Sequence, residues 1–256
     1  MARLTTLLFA MWLGVTVSTE VDLEKRIYGG KTCGPKERLY HVKLLDTVGN
    51  FFICGGSLIS DQWILTAAHC YEPGRKFTAH IGVHPGPPTI VDITEKRKRF
   101  KRFFFFKHDL MLLKLPDPVV GIDPVQGPDC QHRPNIGALV QVAGHAATTA
   151  GPNNEKLRGS SPTLQCADMN IVNCQASLLQ LEHRICYRAP GVDTCKGDSG
   201  GGVVYKDRIY GVHVMSGATY VCSASAQAMD LCYKPYLKWI NKTINPSGAN
   251  AAFGSW

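Results

Sequence analysis

Three short segments, far apart in the chain, each carry a side chain of the kind used in nucleophilic catalysis. His69 ends the stretch Leu-Thr-Ala-Ala-His, Asp109 precedes the apolar run Leu-Met-Leu-Leu, and Ser199 lies within Gly-Asp-Ser-Gly-Gly. A serine hydroxyl is a weak nucleophile at neutral pH, so it needs a base within hydrogen-bond reach, and that base needs a carboxylate to orient it. The segments predict covalent catalysis by Ser199, with His69 as base and Asp109 as its carboxylate partner.

The glycines around the serine suit the same chemistry. Because glycine has no Cβ atom, the backbone can turn sharply there. Such a turn would aim the N–H groups of Gly197 and Ser199 at the oxyanion of a tetrahedral intermediate. Each segment alone is a weak signal, since a lone histidine beside a cysteine is more often a packed residue and a glycine-rich stretch is often only a loop.

The elements that must position these residues are short strands. Clusters of Gly, Pro and Asp separate the β-rich runs 41–45, 51–53, 63–65 and 111–115, which indicates an all-β protein. Long helical periodicity is absent except after Pro235, where apolar residues between Tyr236 and Ile244 share one helical face. We therefore predict a β-sandwich or a pair of barrels with one C-terminal helix, followed by a loose tail of small residues at 246–256.

Composition excludes a disordered chain and favours an oxidising compartment. Of 256 residues, 45% are hydrophobic and 19% are charged, a globular balance. The ten cysteines are scattered, even in number and without a CxxC pair. This pattern favours five disulfide bridges over a zinc site.

The N-terminus predicts secretion. A basic start is followed by an uncharged run from Leu4 to Val17 and then by small residues, as in a signal peptide covering residues 1–18. The alternative, a membrane anchor, needs about 20 apolar residues. Residues 19–26 form a short acidic spacer ending in Lys25-Arg26, which we interpret as an activation propeptide. A secreted chain is expected to carry sugar at Asn241, in Asn-Lys-Thr.

Taken together, in the order His, Asp, Ser, the three segments resemble the trypsin-like (chymotrypsin-fold) serine proteases. The resemblance runs from Ile27 to about Ile244. It implies two packed six-stranded antiparallel β-barrels with a C-terminal helix over residues 27–245. It also implies a secreted, monomeric endopeptidase without a cofactor, acting on protein or peptide substrates. Protease inhibitors are candidate partners, and no nucleic-acid or membrane partner is expected.

The same resemblance implies how the cysteines pair. One bridge common in vertebrate trypsins is missing at both ends, where Val140 and Tyr205 stand, so no thiol is left over. The implied bridges are Cys33–Cys166, Cys54–Cys70, Cys130–Cys232, Cys174–Cys186 and Cys195–Cys222.

Activation by cleavage is a further implication. Cleavage after Arg26 would free the ammonium group of Ile27, which in the resembled family inserts beside the aspartate before the nucleophile, here Asp198. The resulting ion pair would hold the oxyanion loop in its competent shape. The uncut chain is then an inactive precursor; the alternative is that Lys25-Arg26 is an incidental basic pair.

The expected specificity is for Arg or Lys, because Asp193 occupies the position that forms the floor of the family's primary pocket. Two departures from the family pattern change the shape of this pocket. The segment between Cys222 and Cys232 is short and places an alanine, such as Ala226 or Ala228, where a glycine usually forms the wall. The strand that pairs with substrate also has a different sequence in place of Ser-Trp-Gly, namely Val214, Met215 and Ser216.

No metal is expected. The loop that binds calcium in trypsins uses carboxylates, and the corresponding residues 82–87 offer no acidic oxygen. No other metal or cofactor pattern is present in the sequence.

The strongest compositional anomaly is the basic run 96–102, followed by four phenylalanines. One interpretation is a patch that binds heparin-like glycans, reinforced by the net charge of +8. The other, which we favour, is a solvated basic loop whose phenylalanines feed the next strand.

The sequence also allows comparison with two other functions, a binding protein and an esterase. A catalytically weak or inactive protease-like binding protein, using the basic 96–102 loop, remains an alternative because fold alone never proves catalysis. An esterase of the α/β-hydrolase type is disfavoured, because the chain lacks alternating strands and helices.

Overall fold

The computed structural model describes residues 27–95, 97–101, 108–147, 149–157, 159–174, 183–217 and 219–246. The predicted signal peptide, the propeptide with Arg26, and all but the first residue of the predicted tail lie outside these ranges. Among the described residues, no helix is both long and apolar enough to cross a bilayer.

Short strands dominate the described residues, as the sequence predicts. A single turn of 3₁₀ helix spans Ala68–Cys70. The strands and the α-helix are β1 (Lys31–Thr32), β2 (His41–Asp46), β3 (Phe52–Leu58), β4 (Trp63–Thr66), β5 (Phe77–Ile81), β6 (Thr89–Ile93), β7 (Lys98–Arg99), β8 (Met111–Lys114), β9 (Leu139–Ala146), β10 (Ser160–Val172), β11 (Arg184–Arg188), β12 (Gly202–Tyr205), β13 (Arg208–Met215), β14 (Ala226–Asp230) and α1 (Lys234–Ile244).

The strands form two antiparallel sheets, one built from β2 to β8 and the other from β9 to β14 together with β1. The C-terminal sheet follows the order β10-β11-β14-β13-β12-β9, and β9 also pairs with β10, so six strands close into a barrel with β1 added outside β10. The N-terminal sheet follows the order β6-β5-β2-β3-β4-β8-β7. The all-β, trypsin-like fold class is thereby confirmed.

The N-terminal sheet differs from the expected closed six-stranded barrel, because it has seven strands and open edges. Its edge strand β7 consists of two exposed basic residues, Lys98 and Arg99, and the opposite edge strand β6 is largely exposed. Charged, short edge strands discourage further pairing. The sheet is therefore a half-barrel that curves around its core.

One apolar cluster joins the two sheets and the helix. It contains Leu44 and Leu112 from the N-terminal sheet, Met229 from the C-terminal barrel, and Tyr236 and Ile240 from α1. The helix begins at Lys234, two residues before the predicted start, because Pro235 is well suited to the first helical turn. His69, Asp109 and Ser199 lie next to strands of both sheets, since His69 follows β4, Asp109 precedes β8 and Ser199 precedes β12.

Four of the five predicted disulfides are confirmed, namely Cys33–Cys166, Cys54–Cys70, Cys130–Cys232 and Cys174–Cys186. The fifth is not formed, and Cys195 and Cys222 are free thiols. Cys222 is held in another arrangement, because its backbone has φ +57° and its N–H donates to Asp193 Oδ2 at 2.8 Å. Burial raises the pKa of Cys195 to about 12 and also raises that of Cys222, so both sulfurs stay protonated at neutral pH.

Candidate active site

Strand pairing brings His69 and Asp109 together. Strand β4 is antiparallel to β8, with Thr66 opposite Met111. His69 follows the end of β4 by three residues, and Asp109 precedes β8 by two. Both residues therefore lie at the same end of these two neighbouring strands. The Cys54–Cys70 bridge ties the turn that carries His69 back to β3.

Two hydrogen bonds connect this pair. Asp109 Oδ2 lies 2.6 Å from His69 Nδ1, and Asp109 Oδ1 accepts the backbone N–H of His69 at 2.8 Å. Burial works to raise the pKa of Asp109, but the side chain, charge and N–H of His69 outweigh it and lower that pKa below its usual value. An ionised carboxylate only accepts hydrogen bonds, so Nδ1 carries the proton and leaves Nε2 as an acceptor.

The loop containing Ser199 packs against the same strands. The Gly55 N–H of β3 donates to the Ser199 carbonyl oxygen at 2.8 Å. A Cβ atom on Gly200 would lie 2.2 Å from both the Gly55 oxygen and Thr66 Oγ1, so only glycine fits. Because Thr66 is three residues before His69, this packing sets Ser199 beside the histidine turn.

The backbone before Ser199 turns as the glycines predict. Gly197 has φ +115°, and a Cβ atom there would lie 2.5 Å from the Phe52 ring. Within the described ranges, no protein oxygen accepts the N–H of Gly197 or of Ser199. The two N–H groups thus have no intramolecular acceptor in the described part of the chain, and their role as oxyanion donors stays a prediction.

Asp198 is buried between the oxyanion loop and β9. Its two carboxylate oxygens accept the N–H of Cys195 at 2.8 Å and of Ala146 at 3.1 Å. Burial raises the pKa of Asp198 to about 6, although those N–H groups and the charge of Lys156 act in the opposite direction. Ile27 is fully buried in the core of the C-terminal barrel.

Asp193, the predicted pocket floor, is buried and paired with a cation of the same chain. Its Oδ2 lies 2.7 Å from Lys156 Nζ, and each side chain is 2% exposed. The Asp193 N–H donates to the Tyr28 carbonyl oxygen at 2.9 Å, which connects this floor to the segment after Ile27. Lys156 could not be found at this site from the sequence, because no motif surrounds it.

Comparison with known proteins shows the family of the chain. A family model described as Trypsin matches residues 27–240. The chain belongs to the trypsin family. It is 32% identical to anionic trypsin of Canis lupus familiaris over 80% of this chain and 85% of that protein, and 30% identical to trypsin-4 of Rattus norvegicus over 93% and 97%. A solved structure titled neuropsin, a serine protease expressed in the limbic system of mouse brain, matches with a TM-score of 0.73 and 26% identity, covering 84% of this chain and 99% of that one.

This trypsin-family serine protease departs from the usual pattern on strand β13, as noted from the sequence. Val214 is buried, Met215 is 48% exposed and Ser216 is half-buried after the end of the strand. Arg184 Nη1 lies 3.9 Å from Met215 Sδ. Ala226, suggested as a pocket wall, is buried in the barrel core.

A buried histidine, His213, lies near the predicted catalytic residues of the trypsin-family chain. His213 Nδ1 is 2.5 Å from the Tyr187 hydroxyl, and both side chains are buried. Burial, followed by the positive charge of His69, lowers the pKa of His213 to about 3. His213 is therefore neutral and does not compete with His69 for a proton.

Two remaining predictions concern the surface of this protease. Within the basic run, Arg97, Lys98, Arg99 and Lys101 are exposed, and two of them form the edge strand β7. Asn241 lies inside helix α1, and its side-chain oxygen is buried without a hydrogen-bond partner among the described residues. This placement disfavours glycosylation, which usually takes place on surface loops.

Proposed function

We propose that the chain is a secreted serine endopeptidase, made as an inactive precursor, that cleaves peptide bonds after Arg or Lys. The observation that carries this proposal is the His69–Asp109 pair, held at 2.6 Å beside the loop of Ser199. Family membership supports the class of reaction, and the buried carboxylate of Asp193 supports the choice of a cationic side chain.

The proposed chemistry assigns one role to each group. Ser199 Oγ attacks the carbonyl carbon of the substrate while its proton passes to His69 Nε2, and Asp109 stabilises the imidazolium that forms. The N–H groups of Gly197 and Ser199 bind the oxyanion. Collapse of the intermediate breaks the C–N bond, the amine leaves with the proton from His69, and water releases the acyl group by the same steps in reverse.

Activation is proposed to follow cleavage after Arg26. The new Ile27 ammonium group would pair with Asp198, whose carboxylate is buried and otherwise costly to ionise. That ion pair would fix the Cys195–Ser199 segment, which contains both oxyanion donors. Secretion rests on the signal-peptide pattern of residues 1–18.

The test is a kinetic comparison on protein cleaved after Arg26. Peptide substrates that differ only at the residue before the cut are assayed with wild type and with Ser199→Ala. We expect turnover of Arg and Lys substrates, and its loss in Ser199→Ala without a change in thermal stability. Equal turnover by both proteins would refute the assignment of Ser199. No turnover by folded wild type with a verified Ile27 terminus would favour the binding-protein alternative.

A further inference from the structure

In the proposed function a cationic substrate side chain binds Asp193, but Lys156 already makes this contact. Besides its contact with Asp193, its ammonium donates to the Thr194 carbonyl oxygen at 2.8 Å. A lysine usually keeps its ammonium group in water, and a buried one needs partners of this kind. Asp193 is thus neutralised by the chain itself.

A small hairpin, residues 150–157, carries this lysine into the pocket. Ala150 pairs with Lys156 across the hairpin, and the Gly151 N–H donates to the Glu155 oxygen at 2.9 Å. At its tip, residues 152–154 are exposed. The hairpin therefore lies outside the barrel strands, between β9 and β10.

Backbone contacts attach the same hairpin to residues 219–221, which directly precede Cys222. Glu155 pairs with Tyr220, the Lys156 N–H donates to the Thr219 oxygen, and the Val221 N–H donates to the Asn154 oxygen, the last two at 2.9 Å. The next residue, Cys222, donates its N–H to Asp193. Backbone pairing thus aligns the lysine with the carboxylate that it neutralises.

A second cation cannot bind Asp193 without displacing the first. Two ammonium or guanidinium groups at one buried carboxylate would repel each other with little solvent to screen them. The four-carbon stem of lysine is flexible, so its ammonium can leave while the hairpin backbone stays in place. The observed state is then a closed one, and apparent affinity for a cationic ligand falls in proportion to the fraction of molecules that are open.

We propose that Lys156 is a built-in competitor for the primary pocket, so that the protease is self-inhibited toward Arg and Lys substrates until their side chains displace it. This inference rests on the proposed function, because it gives Asp193 the role of binding the substrate cation. It adds a regulatory and specificity-determining residue outside the catalytic triad.

The test measures binding of a cationic probe without turnover. Benzamidine, an aryl amidinium, and its neutral analogue benzamide are titrated by calorimetry into protein cleaved after Arg26 and carrying Ser199→Ala. Lys156→Gln removes the charge but keeps a hydrogen-bond donor for Asp193, whereas Lys156→Arg keeps the charge. Lys238→Gln, at an exposed position of helix α1, removes the same charge from a residue without a contact to Asp193.

If Lys156 inhibits the pocket, its removal should raise the affinity for the cationic probe alone. Lys156→Gln should bind benzamidine at least about tenfold more tightly, because it no longer competes through a charged hydrogen bond. Benzamide affinity should not change, and Lys156→Arg and Lys238→Gln should behave as wild type. In proteins that keep Ser199, Lys156→Gln should lower KM for Arg and Lys substrates and leave kcat nearly unchanged.

Unchanged or weaker benzamidine binding by Lys156→Gln would overturn the inference. If this variant unfolds alone, its folding is followed with increasing benzamidine, and folding restored by the probe supports displacement. A variant that stays unfolded at saturating benzamidine would show that Lys156 is purely structural and would also overturn the inference. Labelling of Ser199 by a fluorophosphonate reports the chemistry separately, so failure of the proposed function can be told apart from failure of this proposal.

Discussion

At the scale of single residues, the proposed catalysis depends on the charge state of Asp109. Burial opposes ionisation of its carboxylate, yet hydrogen bonds from the His69 side chain and backbone lower its pKa. The carboxylate therefore stays charged at neutral pH and keeps the proton of His69 on Nδ1. Only this tautomer leaves Nε2 able to take a proton from Ser199.

Replacing Asp109 by Asn tests this balance. An amide NH₂ group would donate to Nδ1 and favour the opposite tautomer, so we expect kcat to fall by about 10⁴-fold with little change in KM. The matched control is Asp117→Asn at an exposed loop position, which should leave kcat unchanged. A comparable kcat for Asp109→Asn and wild type would contradict the role of Asp109.

Residues within local motifs could be predicted from the sequence, whereas Lys156 could not. His69, Asp109 and Ser199 each lie in a recognisable segment, and pairing of β4 with β8 makes two of them neighbours. Lys156 reaches Asp193 only because its hairpin pairs with residues 219–221. No sequence periodicity encodes contact between two irregular segments more than 60 residues apart.

At the scale of elements, the oxyanion loop is organised around a buried carboxylate. Asp198 accepts two backbone N–H groups yet has its pKa raised to about 6 by burial. In the unfolded chain its pKa returns to about 3.8. The folded precursor thus binds the proton of Asp198 more tightly than the unfolded chain does. The contribution of Asp198 to the free energy of unfolding therefore falls as pH rises from about 4 to 6.

The Asp198→Asn variant isolates that effect in the precursor. Since asparagine does not titrate, the free energy of unfolding of the variant should gain about 2–3 kcal/mol relative to wild type as pH rises from about 4 to above 6. Chemical denaturation at several pH values measures this difference. A difference that does not depend on pH would mean that folding does not raise the pKa of Asp198.

Helix α1 packs against the segment that carries Asp109. The Tyr236 hydroxyl lies 2.7 Å from His108 Nδ1, directly before Asp109, and Phe100 packs edge-on against both rings. Tyr236→Phe should lower the free energy of unfolding by about 1–2 kcal/mol, because one buried hydrogen bond is lost. Urea unfolding gives this value, and a change below about 0.3 kcal/mol would show that the bond contributes little.

At the scale of the whole molecule, the site exists only when the two sheets pack together. His69 and Asp109 come from the N-terminal sheet, whereas Ser199 and Asp193 come from the C-terminal half. The all-β class, the terminal helix and four disulfides were predictable, because strand periodicity and the family resemblance specify them. The open edge of the first sheet was not, since edge closure depends on three-dimensional pairing of β6 and β7.

Cleavage after Arg26 should stabilise the whole protein. The Ile27 ammonium would give Asp198 a buried counter-charge, so we expect the Tm at pH 7.5 to rise by at least about 2 °C on cleavage. The gain should shrink below pH 6, where Asp198 of the precursor is protonated and no longer costly. Differential scanning calorimetry of both forms checks this. The same gain on cleavage of Asp198→Asn would exclude the ion pair as its source.

The central claim is that Ser199 becomes an activated nucleophile once the chain is cut after Arg26. Its most direct test is fluorophosphonate labelling of the precursor, the cleaved protein and cleaved Ser199→Ala, with the modified residue identified by mass spectrometry. We predict rapid labelling at Ser199 in the cleaved protein, slow labelling in the precursor and none in Ser199→Ala. Absence of labelling in correctly folded, cleaved protein would contradict the account and favour a protease-like binding protein.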